Sequence, residues 1–63
     1  MEKEIIVDGK TVKVNVLHRA SGLVSAGSKE HGAIFVCRDT EEEALMALKD
    51  EMERQYGQGR IEL

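Results

Sequence analysis

The stretch EIIVDGKTVKVNV, Glu4 to Val16, decides how this chain folds. Apolar residues alternate with polar ones on both sides of Asp8-Gly9. That alternation has the period of a β-strand, and Asp-Gly suits a two-residue type I′ hairpin loop, whose central residues both need positive φ. The turn dictates a register. Val7 falls opposite Lys10, Ile5 opposite Val12 and Glu4 opposite Lys13, an oppositely charged cross-strand pair. Residues directly opposite share a face, so Ile5, Val7, Val12, Val14 and Val16 line one side. Glu4, Ile6, Thr11, Lys13, Asn15 and Leu17 line the other.

Working outward, HRASGLVSAGSKEHG (His18–Gly32) is interrupted by glycine and predicts a strand bending near Ser21-Gly22, then a mobile loop over Ala26–His31. AIFVCR (Ala33–Arg38) predicts a third strand, with Ile34 and Val36 on one face and Ala33, Phe35 and Cys37 on the other. A helix follows. Asp39 or Thr40 can cap it, with Glu42 or Glu43 three residues on, and Thr40 with Glu43 matches a capping box in full. At about 100° per residue, Ala44, Leu45, Leu48, Met52 and Tyr56 form a core stripe flanked by Glu41 and Gln55. Gly57 is the expected left-handed terminator, and RIEL (Arg60–Leu63) a short last strand with Ile61 and Leu63 facing alike.

The expected fold class is therefore α+β: an antiparallel sheet of three to four strands with one helix packed on one face, in the order β-β-β-α-β, forming a single domain over residues 1–63. One helix covers one face. Ile6, Leu17 and either Ile34/Val36 or Phe35/Cys37 remain on the other, a surface for a partner or for a homodimer.

Composition narrows the function classes. At 63 residues the chain buries about 60% of its unfolded surface, so its stability is thin. Phe35 and Tyr56 are the aromatics, which leaves an aliphatic core. One cysteine, Cys37, excludes an internal disulfide and fits a reducing, cytoplasmic setting. MEKEIIVDGK carries no long apolar run or small-residue cleavage site, so neither a leader nor a membrane span is expected.

Charge is segregated. Residues 10–38 carry Lys10, Lys13, Arg19, Lys29 and Arg38 against Glu30, a net +4. Residues 39–53 carry seven acids against Lys49, a net −6. Two surfaces follow. The outer helix side holds Glu42, Glu43, Met46, Asp50 and Glu53, an acidic ridge with an adaptable apolar centre that suits a basic protein partner. The five cations suggest a basic sheet patch for RNA or DNA, although a net charge of −3 and the lack of spare aromatics disfavour nucleic acid.

Catalysis is not expected. Cys37 lies two residues before a helix cap and beside Arg38, a placement that raises the question of a nucleophilic thiol. A nucleophile also needs a base, and nothing in the spacing puts His18 or His31 beside it. Cys37 reads as a packing residue. No metal site is expected, because Cys37, His18 and His31 lack ligand spacing. Glu41, Glu42 and Glu43 are consecutive and diverge around a helix, which suits capping rather than acid–base work. No cofactor fingerprint is present.

The element order and DTEEEALMALKDEM (Asp39–Met52) resemble the N-terminal domain of HicB-like antitoxins, whose helix often opens D-T-x-E-E-A-L. Asp39, Thr40, Glu42, Glu43, Ala44 and Leu45 match that opening, in a motif covering about a fifth of the chain. The resemblance implies a three-strand meander, then a helix, in a non-enzymatic protein that masks a small RNA-cleaving toxin. The chain departs from the pattern in having no proline for the Pro-Gly-Cys-like turn after the second strand. It also holds none of the DNA-binding segment that many members carry. The Asp-Gly hairpin and regular caps suit a designed mini-protein as well.

Overall fold

Asp8 and Gly9 both adopt positive φ, 51° and 78°, the type I′ geometry that matches the twist of the flanking strands. They join β1 (Glu2–Val7) to β2 (Lys10–His18), with Val7 opposite Lys10, Ile5 opposite Val12 and Glu4 opposite Lys13. The register expected from the turn is the register found. The structure is a computed structural model and describes residues 1–31 and 34–62.

β2 continues into a hairpin rather than a bend. Arg19 N–H donates to the Leu23 carbonyl at 2.8 Å, and Gly22 N–H donates to the Arg19 carbonyl at 3.0 Å. β3 (Val24–Ser28) then pairs antiparallel with β2, Val16 lying opposite Ala26 and Leu17 opposite Ser25. Ala26–Ser28, expected in a loop, are strand residues. VSAGS has one β-branched residue, so its own strand propensity is low. Two neighbouring strands supply the ladder that holds it extended. β4 (Phe35–Arg38) closes the sheet in the order β1-β2-β3-β4.

The architecture is the expected α+β sheet with one helix on one face, in the order β-β-β-β-α. The additional strand precedes the helix instead of following it. Ile61 and Glu62 form no strand; Ile61 packs back on the core, while Leu63 and Ala33 lie outside the described residues.

The helix α1 (Glu41–Gly57) starts where the capping box placed it. Glu43 N–H donates to Thr40 Oγ1 at 3.1 Å, and Thr40 Oγ1 donates to Glu43 Oε1 at 3.0 Å. Gly57 is still helical. The left-handed residue is Gly59, at φ 74°. Gly59 N–H donates to the Tyr56 carbonyl and Arg60 N–H to that of Gln55, the paired bonds of a Schellman ending. Termination thus falls two residues later than the first glycine suggested.

α1 lies against β1, β3 and β4 and buries Ala44, Leu48 and Met52 on Val7, Val12, Val14, Val16, Val24 and Ala26. Leu45, Ile5, Ile34 and Val36 pack at the margin. Ile34 and Val36 therefore belong to the helix side, which leaves Phe35 and Cys37 on the outer face. Glu41, the polar residue at the head of the stripe, docks the helix start to the sheet. It pairs with Lys3 Nζ at 3.1 Å and lies 3.7 Å from His18 Nε2. Among the described residues no buried side-chain nitrogen or oxygen lacks a hydrogen-bond partner.

Candidate functional site

Two surfaces stand out, one on each side of the molecule. The first is the outer side of α1. Because Ala44, Leu48 and Met52 face the sheet, helical geometry turns Glu42, Glu43, Met46, Asp50 and Glu53 to solvent, and all five are exposed. Met46 is 63% exposed, a large apolar side chain with acids on either side of it in the helix. Glu43 is committed to the Thr40 cap. Among the described residues Glu42, Asp50 and Glu53 enter no ion pair. Toward its C-terminal flank the ridge is moderated: Arg38, Ala47, Asp50, Glu51 and Arg54 line one shallow depression, and Arg54 binds Glu51. The sequence reading of this face is thus realised in position, with two arginines at its border that periodicity did not place there.

The five cations do not form one patch. Lys13, Arg19 and Lys29 lie on the outer sheet face. Lys10 sits opposite Val7 and hence on the helix side, and Arg38 borders the helix depression. Acids are interleaved with the three that remain. Glu4 is the cross-strand neighbour of Lys13, and Lys29 Nζ binds Glu2 Oε2 at 2.8 Å. The hydrogen bond and charge of Lys29 hold the Glu2 carboxyl below its ordinary value. A two-residue period assigns alternate cations to opposite faces, so a run of positive sequence did not become a positive surface.

The second surface is a trough on the outer sheet face, of about 400 Å³. β3 presents small groups there, Ser25 and Gly27, between Leu17 of β2 and Phe35 of β4. Its walls are exposed, Leu17 at 52% and Phe35 at 61%. Gly27 is needed for contact as much as for shape: a Cβ there would lie 3.2 Å from Phe35 Cβ. Arg19 stands at one end and Lys29 at the other, with Asn15 on the rim. Sequence reasoning placed Leu17 and Phe35 on candidate outer faces but missed the trough, because it took Ala26–His31 as a loop. The signal lay in the outward positions of β3, where a serine and a glycine flank Ala26.

Cys37 is half-buried beside this trough, its Sγ 3.2 Å from Ser25 Oγ. Ser25 Oγ in turn accepts from Arg19 Nε at 2.5 Å. The two histidines are engaged elsewhere. His18 faces Glu41, and His31 Nε2 lies 3.1 Å from the Glu62 carbonyl oxygen. The structure therefore joins Cys37 to a serine and an arginine and brings neither imidazole to it. No described helix is long and apolar enough to cross a membrane. Comparison of the chain with family models, with curated proteins and with solved structures finds no match.

Proposed function

We propose that this chain is a non-enzymatic protein-binding module of the inhibitor or antitoxin type, working in the cytoplasm. Its acidic helix face covers the basic surface of a partner that acts on nucleic acid. One observation carries the reading: Glu42, Asp50 and Glu53 are exposed and without ion-pair partners among the described residues, around an exposed Met46. Folding needs the capping acid Glu43 and the docking acid Glu41, and neither role extends to these three. Such a ridge would speed encounter with a basic partner by electrostatic steering, and Met46 would supply an apolar contact able to adapt its shape.

The test is the triple charge reversal Glu42→Lys, Asp50→Lys, Glu53→Lys beside Met46→Ala. Wild-type protein on a column should retain a basic nuclease-like partner from the source cell. Retention should fall steeply with added salt and vanish for the triple variant. Equal retention of one partner by wild type and triple variant, at every salt concentration, would remove the proposal.

A further inference from the structure

The trough on the outer sheet face has a chemistry of its own. Leu17 and Phe35 make apolar walls, Ser25 and Gly27 a shallow floor, and the charged groups among its lining residues are both cationic, Arg19 and Lys29. The two cations are not equivalent. Lys29 is already engaged by Glu2. Arg19 meets no carboxylate among the described residues.

Arg19 is also held in place. Its Nε donates to Oγ of Ser25, a residue only 6% exposed, and the same oxygen lies 3.2 Å from Cys37 Sγ. With Nε fixed, the two terminal nitrogens remain to grip a carboxylate in the paired geometry that guanidinium favours. Prior immobilisation reduces the ordering cost of that grip. From Arg19 the trough runs along β3 toward Lys29. Residues 25 to 29 span about 13 Å at ~3.3 Å per strand residue, room for a medium-length alkyl or aryl body.

We infer that this trough binds a small carboxylic acid with an apolar body, the carboxylate on Arg19 and the body lying over Gly27 between Leu17 and Phe35. The site is separate from the helix ridge and makes no use of it. Lys29, neutralised by Glu2, closes the far end of the trough and leaves the carboxylate to Arg19. Gly27 keeps the floor open, since a side chain there would stand where the ligand lies and press on Phe35.

Amide spectra of the full ¹⁵N-labelled chain decide the matter, with octanoate as probe and octanol and octylammonium as controls. Octanoate should shift the amides of Leu17, Arg19, Ser25, Gly27 and Phe35 saturably, with affinity near the millimolar range expected for so small a ligand. It should bind at least about tenfold more tightly than octanol, the scale of one charge-assisted interaction. Arg19→Gln should abolish that preference. Phe35→Ala, at an exposed position that the core does not need, should weaken octanoate and octanol alike while the rest of the spectrum stays folded. Equal binding of octanoate and octanol, unchanged octanoate binding in Arg19→Gln, or shifts confined to other surfaces would each overturn the assignment.

Discussion

Gly9 shows how much one backbone conformation can decide. Its φ of 78° closes the Asp8-Gly9 turn, and the turn sets the register of every residue in β1 and β2. An L-side chain in this region costs about 1–2 kcal/mol. Gly9→Ala is expected to lower unfolding free energy by about 1 kcal/mol in urea titration, with the midpoint moved and the slope unchanged. Glu2 offers a second test at this scale. Lys29 bonds it and holds its carboxyl below its ordinary value. A depressed folded-state value stabilises the fold at pH above the unfolded value, and this contribution is lost as pH falls through the folded value. Lys29→Met should therefore move the Glu2 titration upward in carboxyl NMR. It should also flatten the loss of stability across the carboxylate range. An unmoved Glu2 titration in the variant would show that the pair does not form in solution.

The elements differ in how they obtain their conformation. α1 carries its own instructions: a cap at Thr40, a reciprocal Glu43, an apolar stripe and a Schellman ending at Gly59. Thr40→Ala should cost about 1 kcal/mol of stability and fray the first turn, visible as lost amide protection at Glu43 and Ala44. Thr40→Ser should restore most of it. β1 and β2 were readable for the same reason, since alternation and turn chemistry agree. β3 was not. Val24–Ser28 is made of small residues and becomes a strand because β2 and β4 saturate both of its edges. The assignment of Ala26–Ser28 to a loop followed from the glycines and low strand propensity, and tertiary pairing overrode both. The end of the helix was misplaced by two residues because Gly57 and Gly59 are equally permissive. Which one turns left-handed depends on where the carbonyls of Gln55 and Tyr56 find donors.

At the scale of the molecule, the helix makes the sheet two-sided. One face is the aliphatic core; the other carries Ile6, Leu17 and Phe35, each more than half exposed. These three do not merge into one apolar plane. Ile6 lies opposite Thr11 on the outer pair, and Glu2, Glu4 and Lys13 stand between it and the trough. A homodimer through this face would have to bury those charges. The expected result in sizing chromatography at micromolar concentration is a monomer, and a concentration-dependent dimer lost in Phe35→Ser would contradict it. The reversal of Glu42, Asp50 and Glu53 should leave the far-UV spectrum essentially unchanged; Glu53→Lys should move stability by about 0.5 kcal/mol or less, while Glu42→Lys, in the first turn, should cost up to about 1 kcal/mol against the helix dipole. That separation of stability from binding makes the ridge a fair test of function.

The sequence by itself determined what is local: the first hairpin and its register, the capped start of α1, the core stripe and the acidic outer side of the helix. Each follows from a period or a turn written within a few consecutive residues. Tertiary structure alone decided what depends on neighbours. It made strand residues of Ala26–Ser28, put Arg38 on the helix side away from Lys13, Arg19 and Lys29, and set Ser25 between Arg19 and Cys37. Those contacts join residues distant in sequence through pairing on both edges of one strand. No local pattern carries that information, and the trough exists because of it.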